Sequence, residues 1–353
     1  MPLAQQFRLL ASGSAPSLYP ADTMFALLHY GQDAALEIPK RYPYSGEWGE
    51  PESTHLLERE QYPVPGLLDM VWLSVVERKF YSLVYRLPVE RITHHLEMTD
   101  DSDVSQLMDY IIVGMAPYGG VALWLHGRRK SVLVEWLHAE QTKVSMEDFM
   151  PQNPELSIDE VCNYYIENSS RVRENFKQNG LPPMNLFDNY MKQFTYRYQV
   201  NFDHWDEDKE EWQKYDEKEI LPEFNYIEEA LFDGTHDKLH DGGLMNYHEA
   251  GKPKKLAVQW HIKKSEYTAY FWFEDELICN IFNRFYGAHP ETKTDFMVRI
   301  DAENNKYELA LYRYGLKEPQ IISESAYQLL VFKSKFECFR SKNYNQPRGA
   351  WIW

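Results

Sequence analysis

A chain that writes a hairpin, a helix and three strands twice in the same order has few architectures open to it. This one does so over 68–137 and again over 256–332. In the first run LDMVWLSVV (68–76) and FYSLVYRL (80–87) are β-branched and aromatic stretches around the polar 77–79, which is a hairpin pattern. Pro88 suits the first turn of a helix, and Val89, Ile92 and Leu96 follow it on one face. Strands are predicted at 110–115, 121–125 and 131–137. In the second run the hairpin spans 256–262 and 267–273. Leu277, Ile278, Ile281, Phe282 and Phe285 then stripe a helix at about 275–285, and strands at 296–300, 307–311 and 327–332 complete the order.

The fold class this implies is α+β, with two mixed β-sheet units of hairpin–helix–three-strand order bridged by a helical segment. The first unit takes 1–145, the second 251–353, and 146–250 is a connector of helices, one strand and an acidic stretch. Internal duplication and a shared order without common origin both stay open, as does whether the two sheets are continuous. The first 65 residues, rich in Pro, Gly, Tyr and Ser, read as extended segments wrapped on the first unit. Ser157 and Glu160 form a capping box opening a helix to about Gln178, with Gly180 as its stop before Pro182 and Pro183. Asn185 is expected to cap a shorter helix to about Phe194, and TYRYQVNF (195–202) alternates as a strand.

Composition removes several function classes. With 44% hydrophobic and 15% aromatic residues over 353 positions, the chain can bury a sizeable core. The balance of 37 Lys+Arg against 54 Asp+Glu, net −17, opposes a phosphate-tracking surface, so nucleic acid is not an expected partner. The stretch 110–127 carries no full charge, yet Gly114, Pro117, Gly119 and Gly120 break it into two strands, so no membrane insertion is expected. Cys162, Cys279 and Cys338 are far apart and lack metal or disulfide spacing. With no basic and apolar leader at the start, they read as reduced thiols of a soluble, cytoplasmic protein. Neither phosphate-binding glycine motif nor a G-x-S-x-G elbow occurs, so no cofactor is expected and no catalytic residue stands out.

An ordered set of short motifs carries a family likeness. Ser14-Ala15-Pro16 with Tyr19-Pro20 leads to GEWG (46–49) and Ser53-Thr54-His55, then Val71-Trp72-Leu73-Ser74 and ERKFY (77–81). GMAP (114–117), Gly119-Gly120, Trp124, Tyr196-Arg197-Tyr198 and the tail NYNQPRGAWIW (343–353) complete it. In this order the set resembles domain-of-unknown-function family 2931 across nearly the whole chain. The resemblance implies a bacterial protein with no assigned activity. Some relatives are described as lipoproteins, and some lie in gene neighbourhoods with interbacterial toxins. This chain departs from the lipoprotein members in having no cysteine near its start. The resemblance supplies no catalytic residues.

The stretch 203–230 holds 12 acidic residues against three lysines, net −9. Trp205 and Trp212 lie inside it, with Glu207, Asp208, Glu210 and Glu211 between them. Aromatic anchors ringed by charge fit a protein-binding hot spot, and equally fit anchors that pin the segment to its own domain. The functional expectation is a non-catalytic binding protein of immunity or inhibitor type, taking a basic protein partner through these six residues. The alternative is a metal-assisted hydrolase on His236 and His240, whose i, i+4 spacing would place both on one helix face. Asp206, Asp208, Glu210 and Glu217 resemble a calcium loop, but Glu211 stands where its glycine belongs. Trp48 and His55 are candidates for lining a small pocket. The apolar, Trp-containing tail 343–353 is expected to dock, and the basic 331–353 to offset part of the acidic charge.

Overall fold

The computed structural model describes residues 5–31, 34–40, 43–54, 61–97, 107–214, 222–240, 246–262, 265–287, 289, 291–301, 304, 306–315 and 317–333, and the backbone of 337–340. The chain forms two compact units. Unit 1 comprises Met1–Met191 with Asp233–Thr235; unit 2 comprises Lys192–Phe232 with His236–Trp353. The expected connector 146–250 therefore divides, its helices falling in unit 1 and its strands and acidic residues in unit 2. Both units are α+β, with more strand than helix.

Unit 1 opens with β1 (Gln6–Phe7), β2 (Leu10–Ser14), β3 (Ala21–His29), β4 (Ala35–Glu37) and β5 (Tyr62–Pro63). The first hairpin follows as β6 (Leu67–Ser74) and β7 (Lys79–Arg86), then α1 (Val89–Glu97). Next come β8 (Met108–Ala116), β9 (Gly120–Gly127), β10 (Ser131–His138) and β11 (Glu140–Thr142). One sheet has the order β10-β9-β8-β2, with β2 parallel to β8; the other has β11-β7-β6-β3-β4, antiparallel throughout. The early segments are thus sheet members, a correction to the expected wrap. Leu10–Ser14 and Ala21–His29 find backbone partners in β8 and β6 that no local pattern announces.

The uncharged stretch is the β8–β9 pair, joined at Pro117–Gly119 with Tyr118 at φ 62. Among the described residues no helix is long and apolar enough to cross a membrane. Leu28, Met70, Trp72, Ile111, Val113, Leu123 and Leu125 form the core with Ile92 and Leu96 of α1. The opposite face of β6 and β7 meets α2 (Met146–Phe149), α3 (Ile158–Asn168) and α4 (Ser170–Asn179) through Leu73, Phe80, Phe149, Val161, Cys162 and Tyr165.

The capping box at Ser157 and Glu160 forms as expected. The single helix to Gln178 does not. Ser169 adopts extended backbone and accepts from Val172 N at 3.4 Å, ending α3 and capping α4. A serine that can satisfy a helix's open donors lets one turn be traded for a second start. The next helix, α5 (Leu186–Tyr190), stops short of Phe194, and Asn185 makes no side-chain cap.

Unit 2 holds β12 (Phe194–Asp206), β13 (Glu211–Lys214), β14 (Glu223–Leu231), β15 (His236–Leu239) and β16 (His248–Ala250). The second hairpin is β17 (Pro253–Ile262) and β18 (Ser265–Phe273), followed by α6 (Asp275–Tyr286). Then come β19 (Thr294–Asp301), β20 (Tyr307–Tyr312), β21 (Gln320–Ile322), β22 (Tyr327–Lys333) and β23 (Glu337–Arg340). One sheet reads β13-β12-β19-β20-β21 with β16 also on β12; the other reads β15-β14-β17-β18-β22-β23. Here β12 runs parallel to β19. Tyr196, Tyr198, Phe271, Ile278, Phe282, Phe296, Val298 and Leu309 are among the core they bury. The tail 343–353 and Glu217 lie outside the described residues.

Candidate functional site

Alternation along β12 sends Tyr196, Tyr198 and Val200 into the core of unit 2 and leaves the residues between them on the outer face. Parallel pairing with β19 sets Arg197 beside Asp295, Asn201 beside Arg299 and Asp203 beside Asp301. The outer face becomes a row of paired charges. Arg197 Nε donates to Asp295 Oδ1 at 2.7 Å, and its guanidinium lies 4.5 Å from the centre of the Tyr247 ring. Arg299 is held from two sides, with Nε 3.2 Å from Asp203 Oδ2 and Nη1 3.1 Å from Glu308 Oε1.

Beyond this row β12 continues into β13 as a hairpin. Trp205 and Trp212 are opposite one another, edge to face at 5.3 Å. The Arg299 guanidinium lies 5.3 Å from the Trp212 ring, and Lys306 Nζ lies 5.1 Å from the Trp205 ring. Trp212 Nε1 donates to Glu308 Oε2 at 3.2 Å. Both indoles are half-buried against cations of their own unit. Arg299 and Lys306, distant in sequence, lie against its tryptophans; most of the basic stretch 331–353, expected to offset part of the acidic charge, lies outside the described residues.

The turn between the strands is built by Asp206. Its Oδ1 accepts from Asp208 N and Lys209 N, both at 3.1 Å, and Oδ2 pairs with Lys209 Nζ at 2.9 Å. The hydrogen bond from Lys209 holds the Asp206 carboxyl below its ordinary pKa. Glu210 takes a positive φ of 53 to close the turn. With its oxygens so engaged, Asp206 serves the turn, which is why the calcium-like spacing builds a hairpin here. Glu207, Asp208, Lys209, Glu210 and Glu211 all project into solvent. From Asp206 to Glu211 there are five acids and one lysine, a net −4 on an ordered tip.

A cleft of about 460 Å³ lies beside this hairpin, lined by β12 from Gln199 to Asp203 with Lys214, Pro222 and Arg299.

The other candidates separate. Trp48 belongs to unit 1, edge-on to Trp124 at 4.7 Å and to Phe187 at 5.6 Å. His55 lies outside the described residues. The motifs around Trp48 knit one structural knot: Ser14 Oγ accepts from Gly49 N and donates to Glu47 O, both at 3.1 Å. Gly49 holds φ +88, where a Cβ would lie 2.2 Å from Gly234 O. In the same way Glu77 accepts from Tyr81 Oη at 2.8 Å and from Tyr118 N at 2.7 Å, fixing the left-handed turn of the second motif group. His236 opens the extended β15 and His240 follows its end, with its ring 5.8 Å from Tyr226. Four residues of strand span about 13 Å, so the helical pairing that a shared ion needed does not form.

Two buried polar clusters went unread in the sequence. In unit 1 Asp22 is fully buried; Tyr165 Oη donates to its Oδ2 at 2.7 Å, while Oδ1 has no hydrogen-bond partner. Burial outweighs Tyr165 and Lys40 and pushes the Asp22 pKa up to about 7. In unit 2 Tyr198 Oη donates to Glu229 Oε2 at 2.5 Å, and His248 Nε2 lies 3.5 Å from Glu229 Oε1. That last contact is off the hydrogen-bond line and acts as an ion pair. Burial opposes charge on His248, yet Glu229 prevails and its pKa lies above the ordinary value. The available cue was parity. Tyr198 and Glu229 occupy inward positions of strands, where a polar residue needs a partner.

The fold defines a two-unit α+β protein. The model of a family described as protein of unknown function, DUF2931, matches residues 2–183, more than half of the chain, and the protein belongs to that family. No curated protein matches it, and no solved structure does.

Proposed function

We propose that this protein is a non-catalytic binding protein of inhibitor or immunity type that takes a basic protein partner on the β12–β13 hairpin. One observation carries the reading. The acidic tip is an ordered turn, with four carboxylates in solvent above a tryptophan pair held by Arg299 and Lys306. Complementary charge speeds encounter, and a fixed tip lowers the entropy lost on binding. The free, buried thiols of Cys162 and Cys279 suit a reducing compartment, which supports the cytoplasm as the place of action. The metal-assisted hydrolase reading on His236 and His240 draws no support from an extended β15.

We also infer that the two units are copies of one fold. In chain order β2, β3, β4, β6, β7, α1, β8, β9, β10 and β11 match β12, β14, β15, β17, β18, α6, β19, β20, β21 and β22. In both, the first strand of the set runs parallel to the strand after the helix, and the sheet orders agree. A parallel pair in otherwise antiparallel sheets is a specific coincidence to repeat.

The test of the binding reading is kinetic. A partner is captured at low salt, and association is followed for the wild type, for Glu207, Asp208, Glu210 and Glu211 all changed to Lys, and for Trp212→Ala. The reversal should mainly slow association, with affinity falling as salt shortens the Debye length from about 10 Å at 0.1 M to about 3 Å at 1 M. Trp212→Ala should mainly speed dissociation. Wild-type kinetics for both variants would reduce the tip to a solvated turn.

A further inference from the structure

β16 is a three-residue strand tied to both sheets of unit 2. Its backbone pairs with β12 at Phe194–Tyr196, and the side chain of His248 reaches Glu229 on β14 of the other sheet. The ring sits between two oxygens, with Nδ1 3.2 Å from the Asn246 carbonyl oxygen and Nε2 3.5 Å from Glu229 Oε1. Both oxygens only accept, whereas a neutral imidazole carries a single N–H. Either neutral tautomer therefore turns a lone pair towards one oxygen, and only the imidazolium offers a proton to both. Asp237 of β15 adds negative charge facing the ring. From β12 the Tyr196 ring lies 5.4 Å away, and Tyr198 donates to the other oxygen of Glu229. Glu229 is buried while the imidazole is part-exposed, so solvent reaches the proton but does not screen the carboxylate.

The other unit manages without this cluster at the place that corresponds if the two are copies. Trp72 faces Thr23 and Tyr81 across β6, and Trp260 faces Phe224 and Tyr267 across β17. A bulge follows at once in both, between Thr23 and Phe25 and between Phe224 and Tyr226. Counting on along β3 and β14 sets Leu28, opposite Leu68, against Glu229, opposite Leu256. All four are buried. Unit 1 thus fills with a leucine the place where unit 2 keeps a carboxylate. A buried ion pair adds little stability over apolar packing, so the fold gives no reason for the exchange.

We propose that His248 is a proton-operated clasp, its imidazolium fastening β16 to β14 and its deprotonation loosening β16 while the rest of unit 2 stays folded. The flanks keep the opening local. Tyr247 Oη donates to Asp295 Oδ1 and Tyr196 Oη to the Gly251 carbonyl oxygen, both at 2.8 Å. Burial opposes the imidazolium, Glu229 outweighs it, and the His248 pKa lies above its ordinary 6.5. The clasp is therefore closed below 6.5 and opens as pH rises through the folded value. It needs no partner, so it stands or falls apart from the binding reading.

Hydrogen exchange of the full chain from pH 6 to 8.5, corrected for intrinsic rates, tests the clasp. Protection of the strand-paired amides of 248–250 should fall at least about threefold over that range relative to β17 and β18. The midpoint should match the titration of the His248 ring followed by NMR. His248→Gln should remove the pH dependence, and Glu229→Gln should move the midpoint down. Asp22→Asn, in unit 1, should leave the response unchanged. Protection of 248–250 that holds constant with pH overturns the proposal, as does a fall shared equally by β17 and β18, which is global unfolding. A midpoint that Glu229→Gln leaves in place also overturns it. The wild-type series decides by itself should either unit 2 variant fail to fold.

Discussion

Asp22 shows how much one interior residue can bias a domain. Its pKa rises from 3.8 to about 7 on folding, so between those values the folded state holds the more protons. Stability should therefore fall as pH rises through that window, and the full cost is present above it. Asp22→Asn should raise the melting temperature at pH 8 and flatten the profile, by about 2 to 4 kcal/mol at about 1.4 kcal/mol per tenfold in proton affinity. Tyr165 can still donate to the amide oxygen. His248 has the same sign for another reason. Its raised pKa adds stability that is complete below its ordinary value of 6.5 and lost as pH climbs through the folded value. The double variant Asp22→Asn with His248→Gln should show a flatter pH dependence of melting from 4 to 8 than the wild type or either single variant, as thermal scans across that range would reveal. Two glycines make a steric contrast. Gly49→Ala meets Gly234 O at 2.2 Å and should cost more than about 2 kcal/mol in urea unfolding. Gly180→Ala, with φ +67, ψ −138 and nothing within 4 Å, should cost about 1–3 kcal/mol through backbone strain alone.

At the scale of elements, the β12–β13 hairpin separates stability from charge. Trp212→Ala removes the ring opposite Trp205 and strips partners from Arg299 and Glu308, so a loss of about 1–3 kcal/mol is expected in urea unfolding. Changing Glu207, Asp208, Glu210 and Glu211 to Lys touches only solvent-exposed positions and should shift stability by no more than about 0.5 kcal/mol each. A large destabilisation by the reversal would show that the tip carries its charge for folding and not for a partner. The helices teach a related point. The apolar stripe and capping box of 157–178 were legible, but the break at Ser169 was not, because a serine within a helical pattern reads the same whether or not its hydroxyl turns to cap.

At the scale of the molecule, each unit buries its own core, Trp72 and Leu123 among the residues of one and Phe271 and Phe296 among those of the other. Each should therefore unfold as a unit of its own, and calorimetry should resolve two transitions. Substitution of Trp72 by Ala should lower one of them by several degrees while the other moves less. A single transition shifted as a whole would mean that the units are energetically one.

The sequence by itself determined the hairpins, the helix after each, the strands that follow and the break of 110–127 into two strands. These rest on periodicity and turn chemistry, which act between residues a few positions apart. Tertiary structure alone decided that β2 and β12 run parallel to β8 and β19, and that Arg299 and Lys306 lie against the rings of Trp212 and Trp205. It also decided that His236 opens an extended strand and His240 follows its end, so that the two do not share a helix face. Each of these depends on which distant strand supplies backbone partners, and a strand's own residues encode which face is apolar far better than which neighbour it will bond.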